Sequence, residues 1–306
     1  MEKIENKNLV DLKTYWKSFR EKLDEPDNKR HLTGWQIFDK TNGLKNDGLY
    51  FLASRPGVGK TTFALNLAYS ILKESLKTLK DAEYENVVLF FSLENSVKSI
   101  NEKFASLVLK IKNEEFLKPK KEIWKNNSEK LKKLENFNLI VIDKVDLNLE
   151  DINLTIQNLQ KENKNIIAIF IDHIHILASN FSGTVFERTA FVSRALKKQA
   201  MIYQIPFFVL AQLSRNFEKS NSKKKTKIEP TNADLKDSGT IEQDADFILI
   251  LEKGDTTVND SNKIVSILNL YVTKNREGPL SKTFASFYED FSFIKEINSS
   301  SLKNAN

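Results

Sequence analysis

Residues 49–62 read LYFLASRPGVGKTT: a short apolar run, a Gly-Lys-Thr loop, and the first turn of an amphipathic stretch. Few segments constrain a fold so tightly, because a buried strand, a tight loop and a helix must follow one another without a gap. Leu49–Ala53 has the length and unbroken apolarity of a strand covered on both faces. Behind the loop, Ala64, Leu67, Ala68, Ile71 and Leu72 recur at helical spacing. The loop therefore sits at a helix N-terminus, where unpaired backbone N–H groups and the helix dipole favour an anion. Ser54, Arg55, Pro56, Gly57, Val58, Gly59, Lys60, Thr61 and Thr62 make up this predicted phosphate cradle. Gly57 and Gly59 let the backbone wrap the phosphates, Lys60 reaches the β- and γ-phosphates of a nucleotide, and the Thr61 hydroxyl ligates Mg²⁺. The Walker A pattern G-x-x-x-x-G-K-[ST] is matched imperfectly, since Ser54 stands for its first Gly and Pro56 removes one N–H.

The rest of the chain repeats the alternation. Val87–Ser92, Leu139–Ile142, Ile166–Asp172, Phe207–Ala211 and Phe247–Leu251 are strand-like runs. Between them, Val97, Ile100, Phe104, Leu107, Val108 and Ile111 mark one helix face, and Leu149, Ile152, Ile156 and Leu159 another. Repeated βα units predict an α/β fold with a mostly parallel central sheet, helices on both faces and ligands beyond the strands' carboxyl ends. A chain of 306 residues holds one large domain of this kind or two small ones. Lys112–Asn136, rich in Lys and Glu, reads as a surface helical excursion, and Ser214–Asn232, with SNSKKKTK, as a mobile loop. Residues 9–23 form an amphipathic helix with Leu9, Leu12, Trp16 and Phe19 on one side, and the polar stretch DEPDNKR follows. A helix set apart in this way either folds back or docks on a partner.

The residues that close the strands carry the candidate chemistry. Glu94 follows VVLFFSL and brings a carboxylate towards the phosphates to polarise an attacking water; its bland alternative is an N-cap-region residue for the next helix. Asp172 ends IIAIFID, where a carboxylate costs stability unless partnered, as a Walker B acid holding the Mg²⁺ water shell would be. His173 and His175 lack a third ligand at metal-site spacing and read as structural. Gln212 ends FFVLA and is a candidate γ-phosphate sensor. With no cysteine there is no disulfide, thiolate metal site or cysteine nucleophile. The N-terminus lacks a signal-peptide run and no stretch of about 18 apolar residues occurs, so the expected location is cytoplasmic. A net charge of +6 suits a polyanionic partner, but 47 basic against 41 acidic residues decides nothing without knowing where the lysines fall.

Taken in order, HLTGWQIFDKTNGLKNDGLYFLASRPGVGKTTFALNLA, FSLEN, IFIDHIHIL, PFFVLAQLSRN, TNADLKDSGTIEQDADFILIL and TKNREGP resemble the motif series of DnaB-type replicative helicases. The resemblance covers about residues 31–290, most specifically in DLKDSGTIEQDAD. It implies a RecA-like ATPase using ATP and Mg²⁺, with Glu94 as catalytic carboxylate, Asp172 as Walker B acid and Gln212 as sensor. Lys274 and Arg276 match the pair that the family presents to the neighbouring subunit's nucleotide. Lys236, Asp237 and Gly239 match the loop that tracks a single-stranded DNA backbone, a task that needs cations and N–H donors rather than base-reading groups. The lysine-rich residues 222–227 would line the same channel or form an ordinary solvated loop.

The implied assembly is a homo-hexamer or another ring or helical homo-oligomer, moving 5′ to 3′, with a primase or loader as possible partner. Residues 1–24 would be the docking helix and 25–300 the motor, with only about thirty residues where the family carries a collar domain. A non-unwinding DNA-binding ATPase of a phage, plasmid or integrative element, serving recombination, loading or maintenance, is the alternative. A small-molecule kinase is disfavoured, because the DNA-tracking loop and the trans-acting pair would have no purpose.

Overall fold

The computed structural model describes residues 11–21, 30–41, 43–78, 84–117, 124–125, 127–214, 229–235, 238–258 and 264–297. The chain divides into two compact units, 1–30 and 31–306. In the first, helix α1 (Leu12–Glu21) starts at Asp11, whose carboxylate accepts from the Thr14 N–H at 3.0 Å and the Thr14 hydroxyl at 2.6 Å. Leu12, Tyr15 and Trp16 share one side of α1 and are exposed, Leu12 by 73%. Leu9 and the side chain of Phe19, the rest of the predicted apolar face, lie outside the described residues.

The second unit is built on one nine-stranded sheet. Its strands are β1 (Leu49–Ser54), β2 (Glu85–Ser92), β3 (Leu139–Ile142), β4 (Lys164–Asp172), β5 (Phe207–Gln212), β6 (Phe247–Val258), β7 (Ile264–Asn275), β8 (Ser281–Tyr288) and β9 (Phe293–Ile297). They lie in the order β3-β2-β4-β5-β1-β6-β7-β8-β9. The pairs from β3 to β6 are parallel and those from β6 to β9 antiparallel, so the expected mostly parallel α/β sheet is present with an antiparallel extension.

Helices cover both faces because the buried strands carry apolar side chains on both. Every residue of β1 is buried. Leu52, Phe90, Phe170 and Phe208 face α3 (Lys60–Thr78) and α4 (Val97–Leu109), meeting Phe63, Leu67, Ile71, Ile100 and Phe104. On this face Phe90, Phe170, Phe208 and Tyr50 stack in sequence at 5.7, 4.7 and 4.8 Å, a ring ladder across β2, β4, β5 and β1. The preceding short helix α2 (Gln36–Asp39) adds Phe38 beside Tyr50 and Phe208. On the other face Phe51, Phe91, Ile171 and Val209 meet Ile152, Ile156, Ile174, Val192 and Leu196 from three later helices.

Lys112–Asn136 is a surface helical excursion, as expected, but its apolar residues are partly buried rather than solvated. Its described parts include α5 (Asn113–Leu117) and α6 (Ser128–Lys132). Phe116, Trp124, Leu131 and Leu134 pack on Ala105, Leu109 and Ile111 as a satellite cluster, with Phe116 and Trp124 4.9 Å apart. The later helices are α7 (Leu149–Lys161), α8 (Ile174–Ser179), α9 (Val185–Tyr203) and α10 (Ser238–Asp244). Residues 215–228, most of the predicted mobile loop and all of 222–227, lie outside the described residues. Among the described residues, no helix is long and apolar enough to cross a membrane.

Candidate nucleotide site

The phosphate loop joins β1 to α3 as the sequence predicts. Ser54, in place of a glycine, is fully buried and donates its hydroxyl to the Arg55 carbonyl at 2.9 Å. Two turns of the backbone require glycine: Gly57 at φ +78° and Gly59 at φ +105°. A Cβ on Gly59 would also come within 3.0 Å of the Phe287 ring, whereas one on Gly57 would meet nothing within 4 Å, so the cradle is open there. Pro56 and Gly57 are exposed, and Val58 is buried to anchor the loop. The Phe63 N–H to Gly59 carbonyl bond, 2.8 Å, starts the helical ladder, and the Thr62 carbonyl accepts from Asn66 at 2.8 Å.

Strand register brings the remaining groups to the same edge. Ser92 lies opposite Asp172, and Ser54 opposite Gln212, so the carboxyl ends of β2, β4, β5 and β1 stand side by side. Thr61 donates its hydroxyl to Asp172 Oδ2 at 2.6 Å, and Lys60 Nζ donates to the Ala211 carbonyl at 3.1 Å. Burial pushes Asp172 above the usual carboxylate range, against the pull of the Thr61 hydroxyl and the Lys60 charge. Burial likewise holds Lys60 below the usual lysine range, with Asp172 and Glu94 acting the other way. Asp172 Oδ1 is buried with no hydrogen-bond partner among the described residues. A buried carboxylate oxygen beside a threonine hydroxyl, at a helix start, fits the donor set for a hydrated Mg²⁺. Among the described residues there is no group of three or more His, Cys, Asp or Glu that could hold a metal ion through protein ligands alone.

Glu94 is not the cap of α4. Ser96 fills that role, accepting from the Ser99 N–H at 3.3 Å. The Glu94 carboxylate is 54% exposed and lies 4.0 Å from His173 Nε2, itself 3.3 Å from Gln212 Nε2. Arg55 donates to the carbonyls of Leu213 and Ser214 at 3.3 and 3.2 Å, tying the phosphate loop to the chain just beyond Gln212.

Lys274 and Arg276 are not brought to this edge. β7 runs antiparallel to β6, which is parallel to β1, and Asn275 lies opposite Phe247, itself opposite Tyr50. The pair therefore sits at the amino edge of the sheet. The length of β1 from Leu49 to Ser54, ~17 Å at strand rise, separates that edge from the phosphate loop. Lys274 donates to the Glu242 carbonyl, and burial followed by the Arg276 charge holds it below the usual lysine range. Arg276 pairs with Asp246 at 3.3 Å and stays 48% exposed. Gly239 is exposed in the first turn of α10, while Lys236 and Asp237 lie outside the described residues.

The family model for the DnaB-like helicase C terminal domain matches residues 32–296. This chain belongs to that family. The replicative DNA helicase DnaB of Buchnera aphidicola subsp. Baizongia pistaciae is 30% identical over 254 residues, 81% of this chain and 51% of that protein. DnaB of Haemophilus influenzae is 30% identical over 266 residues, 85% of this chain and 54% of that protein. The chain thus spans about half the length of the curated relatives it matches. Among solved structures, an isolated ATPase domain superposes with a TM-score of 0.78 at 23% identity, covering 95% of this chain and 100% of that one. A DnaB-like replicative helicase, described with its interactions with primase, superposes at 0.76 and 23% identity, covering 95% and 68%. The fold of this DnaB-like domain is therefore RecA-like, as the motif series implies.

Two polar residues of the DnaB-like domain escaped the sequence reading. Asp246 is 5% exposed and meets both Arg276 and Lys197 of α9. A charged residue immediately before the buried strand β6 was the available signal for Asp246. Lys197 carried none, because its partner is 49 residues away.

Proposed function

We propose that this chain is the motor of a DnaB-type DNA helicase, hydrolysing ATP between subunits of a homo-oligomer, a hexamer or another ring or helix, to move 5′ to 3′ on single-stranded DNA and unwind duplex in replication. Residues 25–300 form the motor, and residues 1–24 dock it to a neighbour through the exposed Leu12, Tyr15 and Trp16 side. The observation that carries this reading is the placement of Arg276 across the sheet from its own phosphate loop, where it cannot serve the nucleotide that Lys60 holds.

The proposed roles combine the arrangement of the phosphate-loop edge with the motif resemblance. The loop N–H groups and Lys60 bind the β- and γ-phosphates, the Thr61 hydroxyl would ligate Mg²⁺, and Asp172 would hold the ion through its water shell. Bound there, Mg²⁺ neutralises phosphate charge. Glu94, at the rim of the site and open to solvent, orients and deprotonates the attacking water. Gln212 reads the γ-phosphate, and through Arg55 the loop's state passes to the chain after β5. A neighbour supplies Lys274 and Arg276 as an arginine finger does. Lys236, Asp237 and Gly239 track the DNA backbone, and a primase or loader is the further partner class, with the cytoplasm as the site of action.

Mixing two inactive variants tests the shared site. Lys60→Ala breaks the loop but keeps the finger; Arg276→Ala keeps the loop but lacks the finger. Under conditions where subunit exchange is verified, the mixture should regain part of the parent ATPase activity. No recovery would refute the trans assignment.

A further inference from the structure

We propose that Asp246 is the positioning residue for Arg276, a buried carboxylate that fixes the guanidinium at the amino edge of the sheet before a neighbour's nucleotide arrives. The proposal rests on the reading that Arg276 acts in trans.

Asp246 is immobilised without help from Arg276. Its backbone N–H donates to the Leu49 carbonyl at 2.9 Å, and its Oδ2 accepts from the Leu49 N–H at 2.9 Å and from Lys197 Nζ at 2.6 Å. Lys197 is itself held, donating to the Asp47 carbonyl at 2.8 Å. The carboxylate is 6% exposed, so the Lys197 charge compensates its burial. The second oxygen, Oδ1, faces Arg276 Nη1 at 3.3 Å. The Arg276 N–H donates to the Asp246 carbonyl at 2.9 Å, and Nη2 donates to the Gln243 carbonyl at 2.5 Å. Arg276 is thus gripped at its backbone and at two of its donors, while 48% of the side chain stays exposed. Without that grip a long arginine at the start of a turn would sample many rotamers, and the freedom lost on meeting a phosphate would subtract from transition-state stabilisation. Asp246 also accepts from the first residue of the strand whose other end is the phosphate loop, so a finger defect must be told apart from a loop defect.

Complementation separates them. Asp246→Asn keeps the shape and removes the charge, and it should lower kcat about tenfold, the cost of re-ordering one arginine side chain, with the KM for ATP unchanged. Mixed with Lys60→Ala it should regain activity, and mixed with Arg276→Ala it should not, which places it in the finger class. Recovery with Arg276→Ala would overturn the proposal by putting the defect in the loop, and so would parent turnover, or recovery with neither partner while the protein is folded. If Lys60→Ala and Arg276→Ala fail to restore each other, the trans reading itself is lost and the proposal falls with it. Should melting show that Asp246→Asn does not fold, the double variant Asp246→Asn/Lys197→Met removes both halves of the buried pair and is read by the same mixtures.

Discussion

Thr61→Val tests the hydrogen bond at the centre of the site without changing its shape. Valine fills the threonine volume but cannot donate, so the Asp172 carboxylate, fully buried, loses the 2.6 Å bond to Oδ2 while Oδ1 already has no partner among the described residues. A hydrogen bond to a charged group contributes roughly 1.5–3 kcal/mol. For a domain of this size that corresponds to a melting shift of roughly 3–12 °C. The loss should depend on pH in a fixed direction. Burial already raises the Asp172 pKa in the folded protein, the Thr61 bond opposes that rise, and valine removes the opposition. Ionised Asp172 therefore costs more stability in the variant than in the parent, and the difference fades as the pH falls through the raised values and the carboxyl becomes neutral in both. Melting of the nucleotide-free proteins from pH 5 to pH 8 measures this, with Thr61→Ser as the control that keeps the donor. A shift of equal size at every pH would mean that packing, and not the hydrogen bond, was lost; no shift would mean that Thr61 does not partner Asp172.

Three further outcomes follow from the same geometry. Glu94→Gln should retain ATP binding and lose hydrolysis, since the amide keeps the shape without the base; parent turnover would remove Glu94 from the chemistry. ATP affinity should fall as the pH rises, beginning below the ordinary lysine value of 10.5, because phosphate prefers protonated Lys60 and burial has depressed its pKa; isothermal titration that is flat up to that value would contradict it. Deleting residues 1–24 should reduce the assembly to monomers at micromolar concentration, and an unchanged sedimentation profile would show that the Leu12, Tyr15 and Trp16 face is not the docking surface.

What could be read from the sequence was local. The strand–loop–helix at 49–62 announces itself because hydrophobic periodicity switches from continuous to helical across two glycines, and Asp172 and Gln212 because a polar residue closes an apolar strand. β8 was not legible, since its first half is exposed or half-buried and, although burial alternates at Ala285 and Phe287, Phe284 and Tyr288 on the other face break the apolar–polar alternation in the sequence. The packing of Phe116 and Trp124 was hidden beneath a lysine-rich composition. The position of Lys274 and Arg276 depends on the antiparallel pairing of β7 with β6, which only the register reveals. Asp246 and Lys197 meet through the same kind of long-range contact.

The proposed coupling is of nucleotide hydrolysis to movement along DNA. It is tested most directly by measuring ATP turnover with and without single-stranded DNA, alongside strand displacement on a forked duplex with a 5′ tail. With that coupling, DNA stimulates turnover, the duplex is displaced, and Lys60→Ala abolishes both. Stimulated turnover with no displacement from a fork of either polarity would contradict it and leave a DNA-binding ATPase that does not unwind.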